Sequence, residues 1–432
     1  MLGSGDRAGL RVVDGDLHAP PIAAPPAGLY VHVPFCVSVC PYCDFVVRGG
    51  GAARGPRSLV PRFLRAIEAE LGLRAHGLDD RWGPPGDGRP GDGRPPLDTV
   101  YLGGGTPSLL PAPAIGTLIA LIAERYGLAS DAEITLEADP APDERGEAEA
   151  LVDAGVTRVS LGAQSLDAGG LRRLGRRHSP DDIAAAVRSY RRAGVGSVGL
   201  DLLYDVPGQT DDSWDATVDA ALALEPDHLS LYALALDDPQ VEGLTGRLGD
   251  HLPPSAGARR WRERARRGQD EDRAAGMYLR ATARLAAAGF RAYEISNLAR
   301  AGHESRHDLG YWTRRPHEAI GPGAHAFDGM VRRWNAAAIE AWLDALDPPD
   351  GSAPSLPPGA AEPLDAAGAA IERLILGLRL DTGVPAAWAA EPPLRDVATW
   401  ATGERLAEIA GDRLRLTPRG WLLSNEVLAR LV

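Results

Sequence analysis

Short runs of apolar residues recur along the chain, each of a length suited to a buried β-strand. They lie at residues 28–33, 98–102, 133–137, 158–162, 197–203, 228–232 and 291–296. Longer segments with helical spacing of apolar residues separate most of them, at residues 60–76, 111–127, 144–154, 181–193, 211–224 and 268–288. A strand–helix alternation repeated about six times is typical of β-α-β units with right-handed crossovers, and it therefore predicts a parallel sheet.

The predicted strands are nearly continuously apolar, which indicates a sheet that is covered on both faces. An open doubly wound sheet and a full or partial (β/α) barrel both fit this pattern. In both architectures the functional residues follow the carboxyl ends of the strands. The residues just after each apolar run are therefore the candidates for chemistry.

Composition divides the rest of the chain. Residues 1–27 are rich in Gly, Pro and Ala and predict a flexible N-terminal arm ahead of an α/β domain at residues 28–348. Two Gly/Pro tracts inside that domain, at residues 48–56 and 82–96, cannot bury a core and predict exposed insertions.

A Pro-rich segment at residues 349–363 predicts a linker to a small C-terminal domain at residues 364–432. Within that domain the pattern predicts helices at residues 366–380 and 398–410, a hairpin around 412–418 and a closing helix at 419–432. Helices followed by a hairpin favour a mainly helical, winged-helix-like fold.

The net charge, the length of the apolar runs and the N-terminal residues limit the class of protein. The chain carries 59 acidic and 46 basic residues and a formal net charge of −13, which argues against a nucleic-acid polymer as partner. No apolar run approaches the roughly 20 residues of a membrane span, and the N-terminus lacks the features of a secretory signal. We expect a soluble, cytoplasmic protein.

All three cysteines lie within eight residues, directly after the first predicted strand: Cys36, Cys40 and Cys43, with the spacing C-x3-C-x2-C. Thiolates are ligands for zinc, copper(I) and iron–sulfur clusters. A structural zinc site usually takes four protein ligands, and the nearest fourth candidate, His32, lies within the strand between two valines. Three thiolates can instead hold three irons of a [4Fe–4S] cluster and leave the fourth iron open. The spacing therefore favours a cluster, with a zinc site as the alternative.

A glycine-rich stretch, "YLGGGTPSLL" at residues 101–110, follows the second predicted strand. Its three glycines remove side chains where the backbone has to approach a ligand closely. Taken alone, the stretch also fits a tight connection between a strand and a helix.

The cysteine spacing, with Tyr42 before the third cysteine, resembles the radical S-adenosylmethionine (SAM) enzymes. The resemblance implies a full or partial (β/α) barrel and a [4Fe–4S] cluster whose open iron binds SAM. It also implies SAM contacts from Tyr42 and from the glycine-rich stretch, at Gly103, Gly104, Gly105 and Thr106.

Four polar residues stand at or beyond the ends of later strands: Glu137, Gln164, Arg176 and Asp201. Each one alone is typical of a cap or a loop salt bridge. In this order they resemble the branch of radical SAM proteins that contains oxygen-independent coproporphyrinogen III oxidase. The resemblance implies that these four residues, together with Tyr30, contact SAM.

Two details resemble a haem-chaperone subfamily of that branch more than the oxidases. The oxidases have a further cysteine two positions after the third ligand, and this chain has Phe45 there. The chaperones carry H-N-x-x-Y-W, and residues 307–312 read "HDLGYW", with the similar stretches "AIGPGAHAF" (319–327) and "RRWN" (332–335) after it. Asp308 replaces the usual Asn, and a carboxylate cannot donate the hydrogen bond of an amide.

The subfamily resemblance implies haem contacts from His307, Tyr311 and Trp312, with His307 as first candidate ligand and His325 as second. From the residues alone, an isolated His and a Tyr-Trp pair are more often structural. We predict a haem chaperone that passes haem to an acceptor protein of the respiratory chain, which can be membrane-associated. The alternative is an oxidase that decarboxylates porphyrinogen propionates.

Overall fold

A 12-stranded sheet forms the main part of the computed structural model, which describes residues 16–86 and 92–432. Its centre consists of β1 (Gly28–Val33), β2 (Leu97–Gly104), β3 (Leu128–Ala138), β4 (Arg158–Gln164), β5 (Ser197–Tyr204) and β6 (His228–Ala233). These strands are neighbours in chain order and every pair is parallel. The predicted parallel sheet of six β/α units is confirmed.

Shorter strands extend the sheet at both sides. They are β7 (Arg291–Ala292), β8 (Asn297–Ala299), β9 (His317–Ile320), β10 (His325–Phe327), β11 (Val331–Asn335) and β12 (Gly359–Pro363). β9 pairs with β1 in parallel, β10 to β12 continue from it antiparallel, and β8 and β7 follow β6. The strand order in the described chain ends at β12 and β7, so the sheet is not closed into a full barrel.

The two faces of the sheet differ, since helices cover one of them and the other surrounds a cavity. Leu29 and Val31 of β1 are buried in the core between sheet and helices, whereas Tyr30 faces the other way. The same alternation turns Glu137 of β3 and Asp201 of β5 toward one central cavity. Because side chains from β2 to β6 line that cavity, the sheet curves around it as a partial barrel.

Ten helices of the described chain belong to this α/β part. They are α1 (Val60–Trp82), α2 (Ala112–Tyr126), α3 (Ala148–Asp153), α4 (Ala168–Arg173), α5 (Pro180–Ala193), α6 (Asp211–Ala223), α7 (Ala256–Arg266), α8 (Glu271–Ala287), α9 (Arg306–Trp312) and α10 (Ile339–Leu346). The six predicted helices are present with shifted ends, and α4, α7, α9 and α10 were not predicted because they are short or strongly polar. In the described residues, no helix has both the length and the apolarity needed to cross a membrane.

The predicted strand at residues 291–296 is wrong in its second half. β7 ends at Ala292, and the chain turns and returns as β8. The buried carboxylate of Glu294 accepts a hydrogen bond from the Ser296 backbone N–H at 3.1 Å, which stabilises the turn.

The C-terminal part has its own core. It contains α11 (Ala366–Leu378), α12 (Leu394–Gly403), α13 (Pro418–Leu422) and α14 (Ser424–Leu428), with strands β13 (Val384–Pro385), β14 (Ala407–Ala410) and β15 (Arg413–Leu416). The predicted helix at 398–410 is wrong beyond Gly403. Arg405 adopts a positive φ of 60°, which ends the helix, and the residues after it form the first strand of the hairpin.

Parts of the predicted N-terminal arm and of the predicted linker pack against the folded domains. Leu17, in the predicted arm, is buried in the C-terminal core, and its carbonyl accepts from Arg373 Nη1 at 2.7 Å. Residues 1–15 of that arm and 87–91 of the second insertion lie outside the described residues. The end of the predicted linker, Gly359–Pro363, forms strand β12, and residues 48–56 are mostly exposed.

Candidate functional site

The three cysteines meet at one cavity. Cys36, Cys40 and Cys43 lie in the loop after β1, are free thiols, and line a cavity of about 520 Å³ at the carboxyl ends of the parallel strands. The Cys43 N–H donates to the Cys40 carbonyl at 3.1 Å, which closes a tight turn between the last two. The spacing in the sequence therefore places all three thiols around the same space.

Arg262 of α7 binds the backbone of the cysteine loop. The sequence did not indicate this role. Its guanidinium is 3% exposed and donates to the carbonyls of Pro41 at 3.2 Å, Tyr42 at 3.1 Å and Cys43 at 3.0 Å. A buried fork of donors on successive carbonyls fixes the backbone that carries the ligands. Nothing in the arginine-rich sequence of α7 distinguishes this arginine from its exposed neighbours.

Arg176 brings a positive charge to the thiols. Its Nη1 lies 3.5 Å from Cys40 Sγ and 3.3 Å from the Tyr42 hydroxyl, and its Nη2 donates to Asp139. His178 Nδ1 lies 3.1 Å from Asp139. Burial alone would raise the pKa of Asp139, but His178 and Arg176 hold it at about 2. Asp139 and His178, which position Arg176, carry no motif signal that the sequence analysis recognised.

The surroundings of the buried cysteines disfavour the ionised thiolate form unless a cation is bound beside them. Burial raises the pKa of Cys36 to about 12 and that of Cys43 to about 12, although Thr106 Oγ1 lies 3.6 Å from Cys36 Sγ. Buried thiolates need a cationic partner, and metal coordination supplies one. The donor set therefore fits a metal cluster bound within the cavity.

A zinc site is not supported. His32 has both ring nitrogens engaged, with the Tyr30 hydroxyl at 3.1 Å and the Val46 carbonyl at 2.8 Å. Within the described ranges, no three or more His, Cys, Asp or Glu side chains are grouped to hold a single ion. The three thiols of a [4Fe–4S] site bind different irons and do not converge on one point.

The glycine-rich stretch packs directly against the cysteine loop. A Cβ on Gly104, whose φ is +110°, would lie 2.6 Å from the His32 ring, and one on Gly105 would lie 2.6 Å from the Phe35 carbonyl oxygen. Only glycine fits both places. Gly104 and Gly105 line the cavity, whereas Gly103 is enclosed between two tyrosine rings.

The far side of the cavity is acidic. Glu137 accepts from the Tyr101 hydroxyl and from the Gly104 N–H, both at 2.9 Å; burial, and then the charge of Asp201, raise its pKa to about 7. Burial raises the pKa of Asp308 to about 6. Burial also raises the pKa of Asp201 above its usual range. Buried carboxyl groups form hydrogen bonds with hydroxyl groups, and in their ionised form they also attract a cation such as a sulfonium.

Most of the residues predicted to contact SAM line this cavity: Tyr42, Gly104, Gly105, Thr106, Glu137, Gln164, Arg176 and Asp201. Tyr30 and Gly103 do not line it. Tyr30 turns its hydroxyl to His32 and lines a second, adjoining cavity. The roles of all ten residues in SAM binding stay predictions.

His307 is a structural histidine in this conformation. Its Nδ1 lies 2.8 Å from Thr99 Oγ1 and its Nε2 lies 2.8 Å from the Tyr311 hydroxyl. Burial lowers the pKa of His307 to about 3. With both nitrogens hydrogen-bonded inside the protein, His307 is not open to haem iron, which argues against the first candidate ligand.

The remaining residues of the "HDLGYW" segment, which is the body of α9, face different surroundings. Asp308 faces the cysteine cavity, and Tyr311 lines the second cavity. The ring of Trp312 lies 5.7 Å from the guanidinium of Arg379 in the C-terminal part. The segment therefore does not form a single haem-contacting surface.

The second cavity has a volume of about 380 Å³ and joins the first one. The residues that line both are Phe45, Gly104 and Glu137. Four histidines also line the second cavity: His32, His251, His317 and His325. Of these, only His32 and His325 were noted in the sequence, because His251 lies in an irregular loop without a motif.

Sequence profiles of known families match two parts of the chain. The profile of the radical SAM superfamily matches residues 92–221, and that of the HemN C-terminal domain matches residues 364–423. The first match covers strands β2 to β5, and the second covers most of the C-terminal part.

Several curated proteins are similar over much of their length. The protein named "Heme chaperone HemW" from Mycobacterium tuberculosis is 37% identical over 414 residues, which are 95% of this chain and 96% of that protein. HemW of Escherichia coli is 35% identical over 72% of this chain and 74% of its own. HemW of Synechocystis is 31% identical over 85% of this chain and 81% of its own.

A solved structure shares the fold. Coproporphyrinogen III oxidase (HemN) from Escherichia coli superposes with a TM-score of 0.75 over 99% of this chain and 93% of that one, at 20% identity. At this identity the likeness shows the fold, which includes both the partial barrel and the C-terminal domain.

Proposed function

The chain belongs to the HemW family of radical SAM proteins, and we propose that it binds haem and transfers it to an acceptor protein. The proposal rests on the names of these relatives and on the two adjoining cavities. One of them carries the thiols, and the other carries histidines with an aromatic rim.

The thiol cavity would hold the [4Fe–4S] cluster through Cys36, Cys40 and Cys43. Such a cluster, when reduced, would supply a single electron to SAM. Arg262 fixes the loop, and Arg176 balances the negative charge of the thiolates. The acidic side of the cavity would bind the sulfonium and hydroxyl groups of SAM.

Phe45 is the observation that carries the choice of chaperone over oxidase. It stands where the oxidase resemblance calls for a cysteine, it is 58% exposed, and it lines both cavities. An exposed aromatic ring at the junction of two cavities offers a face on which a flat apolar ligand can stack. A porphyrin macrocycle is such a ligand.

The charge of the thiol cavity argues against decarboxylation of propionates there. Five carboxylates line it, those of Glu137, Asp139, Glu144, Asp201 and Asp308. Each of the three arginines that line it already has a partner: Arg158 donates to the His303 carbonyl, Arg176 to Asp139 and Arg177 to Asp143. An anionic propionate next to the cluster would meet repulsion and no free cation.

For the acceptor of the haem, we propose a class of proteins and not an individual protein. We place it among the haem proteins of the respiratory chain, at or in a membrane, and the exchange itself in the cytoplasm. The net charge of −13 supports a protein rather than a nucleic acid as partner.

A haem titration tests the proposal. The full chain, reconstituted anaerobically with iron and sulfide, is titrated with hemin and followed by its Soret absorption. We expect saturation at one haem per chain. A titration that matches bovine serum albumin in stoichiometry and in lack of a defined ligand spectrum would refute haem carriage.

A further inference from the structure

Two histidines of the second cavity share one carboxylate. His251 Nδ1 lies 2.9 Å from Asp250 Oδ1, and His325 Nε2 lies 2.9 Å from Asp250 Oδ2. Asp250 is itself largely buried. The His325 ring also stacks on Trp334 at 5.8 Å between centroids, which fixes its plane. The carboxylate therefore orients two imidazoles at the same rim.

His251 keeps one nitrogen open. Its Nδ1 donates to Asp250, and its Nε2 contacts no polar partner among the described residues. A carboxylate on Nδ1 makes the remote nitrogen the lone-pair donor, sets the ring orientation and increases ligand basicity. This is the arrangement expected of a metal-ligating imidazole before it binds the metal.

The other histidines of the cavity are less available. His32 is bonded at both nitrogens, and His317 Nδ1 lies 3.2 Å from the Arg315 carbonyl, while burial lowers its pKa. His325 has one nitrogen on Asp250 and its ring against Trp334. The His325 side chain is the more exposed of the two, at 49% against 30% for His251, but its ring is stacked on an indole. His251 is therefore the histidine with an open nitrogen on a ring that no indole covers.

We propose that His251 Nε2 ligates the iron of haem bound in the second cavity, with Asp250 and His325 as the groups that position it. This rests on the proposed function, since it assigns the place where that function holds its cargo. Haem iron takes four nitrogens from the porphyrin, so one or two side chains complete its coordination. Two histidines are too few ligands for a free metal ion, but they are enough for haem iron.

The cavity also offers the surroundings of a macrocycle. Phe45, Tyr30 and Tyr311 supply aromatic surface along it. The His325 side chain is 49% exposed, so this rim opens to water, where the propionates stay solvated. Phe45 would then separate the haem from the cluster cavity.

A larger cavity of about 1090 Å³ lies at the opposite ends of the strands and contains His303. Its rim arginines are already paired: Arg291 with Glu304 at 3.3 Å, Arg306 with Asp131 at 3.5 Å, and Arg315 with Asp98. No carboxylate orients the ring of His303 within 3.5 Å, since the Asp227 carboxylate lies 3.9 Å from its Nε2. It is therefore the competing location, and the experiment includes it.

The test compares single variants of the full, reconstituted chain in hemin titrations, with the Soret position and the ferric EPR spectrum as readouts of the axial ligand. The variants are His251→Ala, His325→Ala and Asp250→Asn, with His303→Ala for the larger cavity and the exposed His76→Ala on α1 as matched control. Iron and sulfide content confirm that each variant still folds and carries its cluster.

We expect His251→Ala to weaken haem binding about 10–100-fold and to change the axial-ligand spectrum, with smaller effects from Asp250→Asn and His325→Ala. His76→Ala and His303→Ala should match the wild-type chain. Wild-type affinity and spectrum in His251→Ala would overturn this assignment and leave the proposed function intact. Loss with His303→Ala alone would move the haem to the larger cavity. Failure of the wild-type chain to bind haem would overturn the proposed function itself.

Discussion

Replacing Cys36, Cys40 or Cys43 by Ala will leave a folded chain that holds almost no cluster iron. Each thiolate would hold a separate iron of a [4Fe–4S] cluster, so the loss of one would leave the cluster with too few protein ligands. The three thiols line one cavity and no fourth cysteine exists in the chain, so no other thiol can substitute. Iron and acid-labile sulfide per chain after anaerobic reconstitution measure the effect.

The same loop provides a control for that experiment. Ser38 lies between the first two cysteines and is exposed, so Ser38→Ala should keep the full iron content. Combining two of the cysteine substitutions should cause no further loss of iron, since each single substitution already removes the site. A cluster that survives in all three cysteine variants would show that the loop is not its binding site.

Replacing Glu70 by Ala will destabilise the partial barrel by about 3–5 kcal/mol, because it removes one acceptor from several buried donors. Glu70 of α1 is 0% exposed and accepts from Trp342 Nε1 at 2.8 Å, Asn335 Nδ2 at 2.7 Å and the Gly321 N–H at 2.9 Å. Its loss leaves all three without their partner in the core. Urea unfolding followed by tryptophan fluorescence measures the change in the free energy of unfolding.

A second acidic residue on the same helix serves as the comparison. Glu68 is exposed, so Glu68→Ala should change the free energy of unfolding by no more than about 0.5 kcal/mol. Equal unfolding curves for the two variants would mean that the Glu70 network does not contribute to stability. The network also explains the stretches at residues 319–327 and 332–335, since Gly321 and Asn335 both bind Glu70.

The central sheet was predictable because its signal is local. Each strand from β1 to β6 is a short apolar run followed by a helical segment, and the crossover rule then sets the order. Of the outer strands, only β7 lay within a predicted strand. β8 to β12 have three to five residues each, too few for a clear pattern, and the pairings of β9 with β1 and of β12 with β11 are set by the fold. The hairpin strand β14 was missed because a positive φ at Arg405, which ends the helix, leaves no mark in the sequence pattern.

The thiols and the glycine stretch were also predictable, since ligand spacing and glycine runs are visible in one dimension. Arg262, Asp139 and Asp250 were not, because their contacts with Tyr42, Arg176 and His325 join residues more than 35 positions apart and exist only in the fold. His307 shows the opposite case. Its motif drew attention to it, and the structure gives it two internal hydrogen bonds instead of an open nitrogen.

The most direct measurement counts porphyrinogen turnover and haem uptake in one preparation. The reconstituted chain is given SAM, a reductant and coproporphyrinogen III, and a parallel sample is given hemin. The proposed haem-chaperone function predicts that each chain binds one haem and carries out less than one decarboxylation. Repeated turnover of coproporphyrinogen III without stoichiometric haem binding would contradict it.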